Sequence, residues 1–166
     1  MRRAIMAGLT VLIVAVGGWY FYSPIWTVNQ MRAAADAGDT GRLAEFVDFA
    51  ELRISAREKI KAKLAAAYKA NGHSGPAPLE NSIALQMING WVSEVAAPIQ
   101  IRAIFMADKT WVGRNPARFD AASDRAVVAR MSPNRFWLQD QDRPDLGVGF
   151  TRDGIGWKLT EIQIPK

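Results

Sequence analysis

The sequence predicts an α+β protein: an N-terminal transmembrane helix, then a helical half packed on a C-terminal four-stranded antiparallel meander. Three observations predict it. Residues 4–22 carry no charge. From Pro24 to Phe105 apolar residues recur at three- and four-residue intervals, and after Asp124 the period changes to two. The chain thus divides into an anchor, residues 1–22, and a domain, residues 23–166. With 166 residues and 49% hydrophobic content, there is enough apolar material for one core.

The anchor follows from the length of its apolar run. As a helix, residues 4–22 would cover about 28 Å, close to the roughly 30 Å hydrocarbon core of a bilayer. The run ends in Trp19-Tyr20-Phe21-Tyr22, an aromatic belt of the kind that sits among headgroups. A cleaved signal peptide is the competing reading, with Ala15-Val16-Gly17 as its small-residue site, but its apolar region would be shorter and would lack the belt. Arg2 and Arg3 precede the run, and no Lys or Arg follows it until Arg32, so positive-inside asymmetry leaves the N-terminus in the cytoplasm and exports the domain. The membrane-anchoring residues are therefore Arg2, Arg3, Trp19, Tyr20 and Tyr22.

Ser23-Pro24 reads as an N-cap followed by proline at the first helical position. The first domain helix then runs over residues 24–37, with Gly38 as its left-handed cap. Asp39 can cap a short second helix carrying Leu43, Phe46 and Val47. Asp48 opens a third, with Glu51 at the capping-box position. Phe49, Leu52, Ala56, Ile60, Leu64 and Ala67 form its apolar stripe, while Arg57, Lys59, Lys61, Lys63 and Lys69 read as a solvated face. Residues 71–78 are a Gly/Pro loop. A helix over residues 81–95 follows, with Ala84, Met87, Ile88, Trp91, Val92 and Val95 on its core stripe. Pro98 either breaks that helix or begins another short one through Ile101, Ile104 and Phe105, and residues 108–124 form a second loop.

In the meander, Val127, Ala129 and Met131 alternate, then Phe136 and Leu138, then Leu146, Val148 and Phe150, then Trp157 and Leu159. Pro133-Asn134 and Arg143-Pro144-Asp145 are turns, and Asp153-Gly154 signals a tight hairpin. The slip from Trp157 and Leu159 to Ile162 and Ile164 predicts a β-bulge near Thr160-Glu161.

Two stretches resemble the bacterial DUF2939 family: "SPIWTVNQMRAAADAGDTGRLAEFVDFAELR" (residues 23–53), directly after the apolar run, and the closing "GFTRDGIGWKLTEIQIP" (residues 149–165). The resemblance implies a bacterial inner-membrane protein with a single N-terminal span and a periplasmic C-terminal domain. The family has no assigned function, so no functional residue is carried over. The Ala-Gly-Asp helix junction and the Asp-Gly-x-Gly-Trp-Lys hairpin are similar, more distantly, to NTF2-like domains, in which short helices and a curved sheet enclose a conical pocket. Those domains usually place a strand among the early helices, whereas here the strands come last.

Composition narrows the chemistry. Zero Cys and a single His leave only carboxylates as metal ligands. Asp140, Asp142 and Asp145 lack the spacing of a calcium loop and read as a turn. His73 lies in Gly72-His73-Ser74-Gly75, which lacks the strand-to-helix setting of a nucleophile elbow. Setting aside Arg2 and Arg3 leaves 19 basic residues against 16 acidic, a charge of +3 that does not argue for nucleic acid. Trp137 faces away from Phe136 and Leu138, and Trp111 lies in a loop, so both are expected contact residues. Gly147 and Gly149 leave one sheet face bare, where a core helix or a ligand can approach closely.

The expected function is a non-enzymatic, membrane-anchored extracytoplasmic binding module with no cofactor and no metal. Its partners would be the membrane itself and an envelope protein or lipid, and no nucleic acid. The alternatives are a small-ligand or lipid-binding domain, or an acid–base enzyme using a buried carboxylate, with Asp108 and Asp120 as the residues to test.

Overall fold

A computed structural model describes residues 2–72, 82–107 and 119–163. Helix α1 spans Arg2–Ala37 without a break, and Pro24 lies inside it. The expected N-cap at Ser23 does not form, and the boundary between residues 22 and 23 falls in mid-helix. Proline has no N–H to offer the Tyr20 carbonyl, which ordinarily breaks or kinks a helix. Two other donors stand in: Ser23 Oγ at 3.3 Å and Arg130 Nη2 at 2.9 Å. The same Nη2 also donates to the Phe21 carbonyl at 3.2 Å.

At its far end α1 stops as the sequence predicts. Gly38 adopts φ 72°, its N–H donates to the Ala35 carbonyl and the Asp39 N–H to that of Ala34, a Schellman motif. The Asp39 carboxylate then caps α2 (Thr40–Ala44) by accepting from the Arg42 N–H at 2.9 Å. Asp48 caps α3 (Phe49–Ala70), accepting from Ala50 and Glu51 N–H at 3.1 and 3.0 Å. The capping box is only half made, because the Asp48 N–H donates to the Leu159 carbonyl instead of to Glu51. Two further helices follow, α4 (Ser82–Val95) and α5 (Pro98–Phe105).

Strands β1 (Ala126–Ser132), β2 (Arg135–Asp140), β3 (Gly147–Asp153) and β4 (Gly156–Ile162) form an antiparallel meander in the order β1-β2-β3-β4. The expected bulge is present: Gly149 pairs with Glu161 and Phe150 with Leu159, leaving Thr160 extra. The free edge of β4 is covered by the α2–α3 junction, where Val47 forms a parallel bridge with Leu159. The face of β1 differs from expectation. Arg130 pairs with Phe136 and Val128 with Leu138, so Ala126, Val128 and Arg130 share the inner face while Val127 and Ala129 lie outside. Met131 is the extra residue of a second register shift.

The core lies between the inner sheet face and α1, α2 and α5. Phe136 stacks on Phe150 with centroids 4.6 Å apart, and Phe105 and Trp157 meet these rings edge-on. Val28, Met31, Ala34 and Ala35 of α1 belong to the same cluster, as do Leu43, Leu52 and Ile101. A smaller cluster, Ala56, Ile60, Ile88 and Val92, joins α3 to α4.

Candidate functional site

Among the described residues three surfaces stand out: a junction between α1 and the hairpin ends, the outer sheet face, and an apolar stripe on α4.

At the junction the aromatic belt of α1 reaches the sheet. Trp19 Nε1 donates to the Ile155 carbonyl in the β3–β4 turn, and the Tyr20 hydroxyl to the Pro133 carbonyl in the β1–β2 turn, both at 3.1 Å. Two guanidiniums approach the Tyr20 ring, with Arg130 Cζ 4.7 Å and Arg152 Cζ 4.9 Å from its centroid. Tyr22 is exposed and takes no part. Arg2 and Arg3 lie in the first turn of α1, and their side chains are not described. The stretch Met6–Ala37 is long and apolar enough to cross a membrane, and its N-terminal half is exposed along its length.

On the outer sheet face Trp137 lies opposite Phe136 and Leu138, as predicted. Its indole, rather than a helix, occupies the room above Gly149: a Cβ there would meet Trp137 Cη2 at 3.0 Å. Gly147 is closed in more tightly, since a Cβ would meet the Leu138 carbonyl oxygen at 2.6 Å. Lys59 of α3 reaches across, its ammonium 5.0 Å from the Trp137 ring centroid and 2.8 Å from Glu161 Oε2. Arg135 pairs with the other oxygen of Glu161. Beside this group, between the α2–α3 junction and the sheet, is an open cleft of about 570 Å³. Asp48, Glu51, Arg135, Lys158 and Thr160 are among its lining residues. A volume of that size suits a small molecule, but mixed charge and openness favour polar contacts over enclosure.

The α4 stripe was not expected. Ile88 and Val92 are buried against α3, but Ile83, Met87 and Trp91 are 71, 57 and 52% exposed. Trp91 and Met87 are thus surface residues, not core. They follow at four-residue steps and so lie along one side of the helix. The signal was present in the sequence: α4 has two adjacent apolar stripes, a wider arc than its packing on α3 and its lesser contact with α5 bury.

Other predicted positions separate. Trp111, His73, Ser74 and Asp108 lie outside the described residues. Asp120 is half-buried, and its carboxylate accepts from the Ala122 N–H at 2.9 Å. Asp140 is buried at the end of β2 and holds its turn by accepting from the Asp142 and Arg143 N–H groups. No group of three or more His, Cys, Asp or Glu that could hold a metal occurs among the described residues.

Compared with known proteins, the chain matches one family model, described as a protein of unknown function (DUF2939), over residues 13–104. The matched stretch begins inside the apolar run and ends within α5, ahead of the sheet. No curated protein and no solved structure matches the chain.

Proposed function

The chain belongs to the DUF2939 family, whose description assigns no function, and we propose from its own geometry a membrane-tethered, extracytoplasmic interaction module that performs no catalysis. The observation that carries this reading is the continuity of α1. Its first half is an exposed apolar span, and its second half supplies Val28, Met31, Ala34 and Ala35 to the domain core. A helix that is anchor at one end and core at the other leaves no linker about which the domain can swing. The surfaces it carries are then presented at a fixed orientation to the membrane plane.

The arginines ahead of the span favour a cytoplasmic N-terminus, which puts the domain in the periplasm of a bacterial envelope. The partner surface is the α4 stripe. β4 leaves the junction at Gly156 and meets α3 near Ile162, where Lys59 donates to the Ile162 carbonyl; α4 packs on α3 from Ala56 onward. The stripe therefore lies beyond the end of β4 remote from the membrane junction. Its occupant is an apolar face of another envelope protein, because Ile83, Met87 and Trp91 offer no charge to pair and a large area to bury.

The test is a photo-crosslinking amino acid at Met87 of the full chain in its native membrane. A discrete protein adduct is expected there, lost on Trp91→Lys and absent when the crosslinker stands at Arg57 on the charged face of α3. No adduct from Met87, or equal adducts from both positions, overturns the reading. An adduct of twice the chain mass would assign the stripe to a second copy.

The cleft favours a second reading, a small polar ligand held by Arg135, Lys158 and Thr160. A lipid chain between sheet and helices is less favoured, because Phe105, Phe136, Phe150 and Trp157 fill that space.

A further inference from the structure

We infer that Arg130 and Arg152, which both approach Tyr20 at the junction of α1 and the hairpins, bind the phosphate of an anionic phospholipid headgroup. Two positive charges lie within 5 Å of the same ring centroid, at 4.7 and 4.9 Å. No described carboxylate forms an ion pair with either of them. Their hydrogen bonds go to neutral carbonyls instead: Arg130 Nη2 to Tyr20 and Phe21, Arg152 Nε to Pro133 at 3.4 Å. Among the described residues Arg130 Nη1 and Arg152 Nη2 have no hydrogen-bond acceptor, and the two guanidiniums also lie over rings, Arg130 Cζ 5.4 Å from the Phe21 centroid and Arg152 Cζ 4.3 Å from that of Trp157. Two like charges with unused N–H donors and no carboxylate between them suit an anion with several acceptor oxygens, which reaches these two covered nitrogens once the side chains over them shift.

The location identifies that anion. Tyr20 belongs to the aromatic belt that closes the apolar span, the level at which lipid phosphates lie. Around it the hairpin ends carry two bare apolar side chains, Ile155 at 80% and Met131 at 65% exposure, with the exposed Asp153 beside Arg152. A hairpin tip carrying an isoleucine suits the boundary between headgroups and acyl chains, where it would lie beside the two guanidiniums. Guanidinium is the side chain best shaped for phosphate, since its paired N–H groups match two oxygens at once.

The inference rests on reading α1 as a membrane span, and the test separates the two. Full-length protein in detergent is mixed with equal phosphatidylglycerol and phosphatidylcholine, and bound lipid is read by native mass spectrometry. Preference for phosphatidylglycerol is expected, falling about fivefold for Arg152→Gln, as one basic residue near an anionic surface contributes. Arg57→Gln, which removes the same charge from α3, should leave the preference intact. Arg152→Gln is the primary variant because Arg130 also holds the helix carbonyls at Tyr20 and Phe21. Equal binding of both lipids, or an equal loss with Arg57→Gln, overturns the site. Displacement of phosphatidylglycerol by inorganic phosphate at equal concentration would make the ligand a free anion and overturn the lipid assignment. In parallel, membranes are washed with alkaline carbonate. Protein that stays in the pellet but shows no headgroup preference sinks the lipid site alone, whereas protein that washes out sinks the span on which it rests.

Discussion

Trp157 Nε1 donates a 3.0 Å hydrogen bond to Ser23 Oγ, both residues fully buried, across 134 positions of chain. Ser23 in turn donates to the Tyr20 carbonyl. A strand of the sheet is thereby tied to α1 one residue before Pro24, at the point where the helix passes from apolar span to domain core. Replacing Ser23 with Ala leaves the indole N–H buried and unpaired, which costs about 1–3 kcal/mol. For a chain of this size, that loss lowers the thermal midpoint by about 2–4 °C per kcal/mol. A melt of the Ser23→Ala full-length protein in detergent checks it, and an unchanged midpoint would mean the bond contributes nothing.

Pro24 and Arg130 should be energetically coupled. Arg130 supplies the donor that proline denies to the Tyr20 carbonyl. Pro24→Ala restores a backbone N–H there, so Arg130→Met should cost less in the Pro24→Ala background than in the wild type. Contacting residues of this kind show coupling of about 0.5–3 kcal/mol in double-mutant cycles. Equal costs in both backgrounds would show that the guanidinium does not replace the missing amide.

The same pair marks where the sequence can and cannot be read. Gly38, Asp39, Asp48 and Asp153-Gly154 were legible because each obeys a rule closed within four or five residues. Pro24 was misread because the shorter of the two bonds that replace its missing N–H comes from a strand more than a hundred residues away. The face of β1 was misread for a related reason: its apolar residues fall on both parities, and Arg130 turns inward to serve α1. The Asp48 N–H likewise goes to Leu159, a partner that no local capping rule contains. For the candidate site, the outward direction of Trp137 followed from simple alternation. What covered Gly149 did not, because the covering group is a side chain of the neighbouring strand and depends on register.

Gly147 and Gly149 should differ in tolerance to alanine. At Gly149 the new Cβ meets the Trp137 indole and Glu161 Cβ, both at 3.0 Å, and the indole can swing aside. Overpacking of that kind costs about 1–3 kcal/mol. At Gly147 it meets the Leu138 carbonyl oxygen at 2.6 Å and Gln139 Cα at 3.0 Å, and backbone within a strand cannot yield so easily. Gly147→Ala should therefore lower the denaturation midpoint more than Gly149→Ala does. Trp137→Leu should recover part of the loss at Gly149 and none at Gly147. The reverse order, or rescue at both positions, would contradict the register of β2 on β3.

The two stripes of α4 make opposite predictions. Ile88 is buried against α3, and truncating it to Ala removes a packed side chain at a cost of about 2–5 kcal/mol. Trp91 lies three residues on and is half exposed, so Trp91→Lys should change stability by no more than about 0.5 kcal/mol. If the stripe is an interaction surface, Trp91→Lys will abolish the crosslink from Met87 at unchanged stability, because a charge in the centre of an apolar contact must be desolvated without a partner. Denaturation of both variants beside the crosslinking assay separates the cases. A large stability loss on Trp91→Lys would place Trp91 in the core and leave α4 without a free face, whereas an intact fold with a lost crosslink makes the stripe a binding surface.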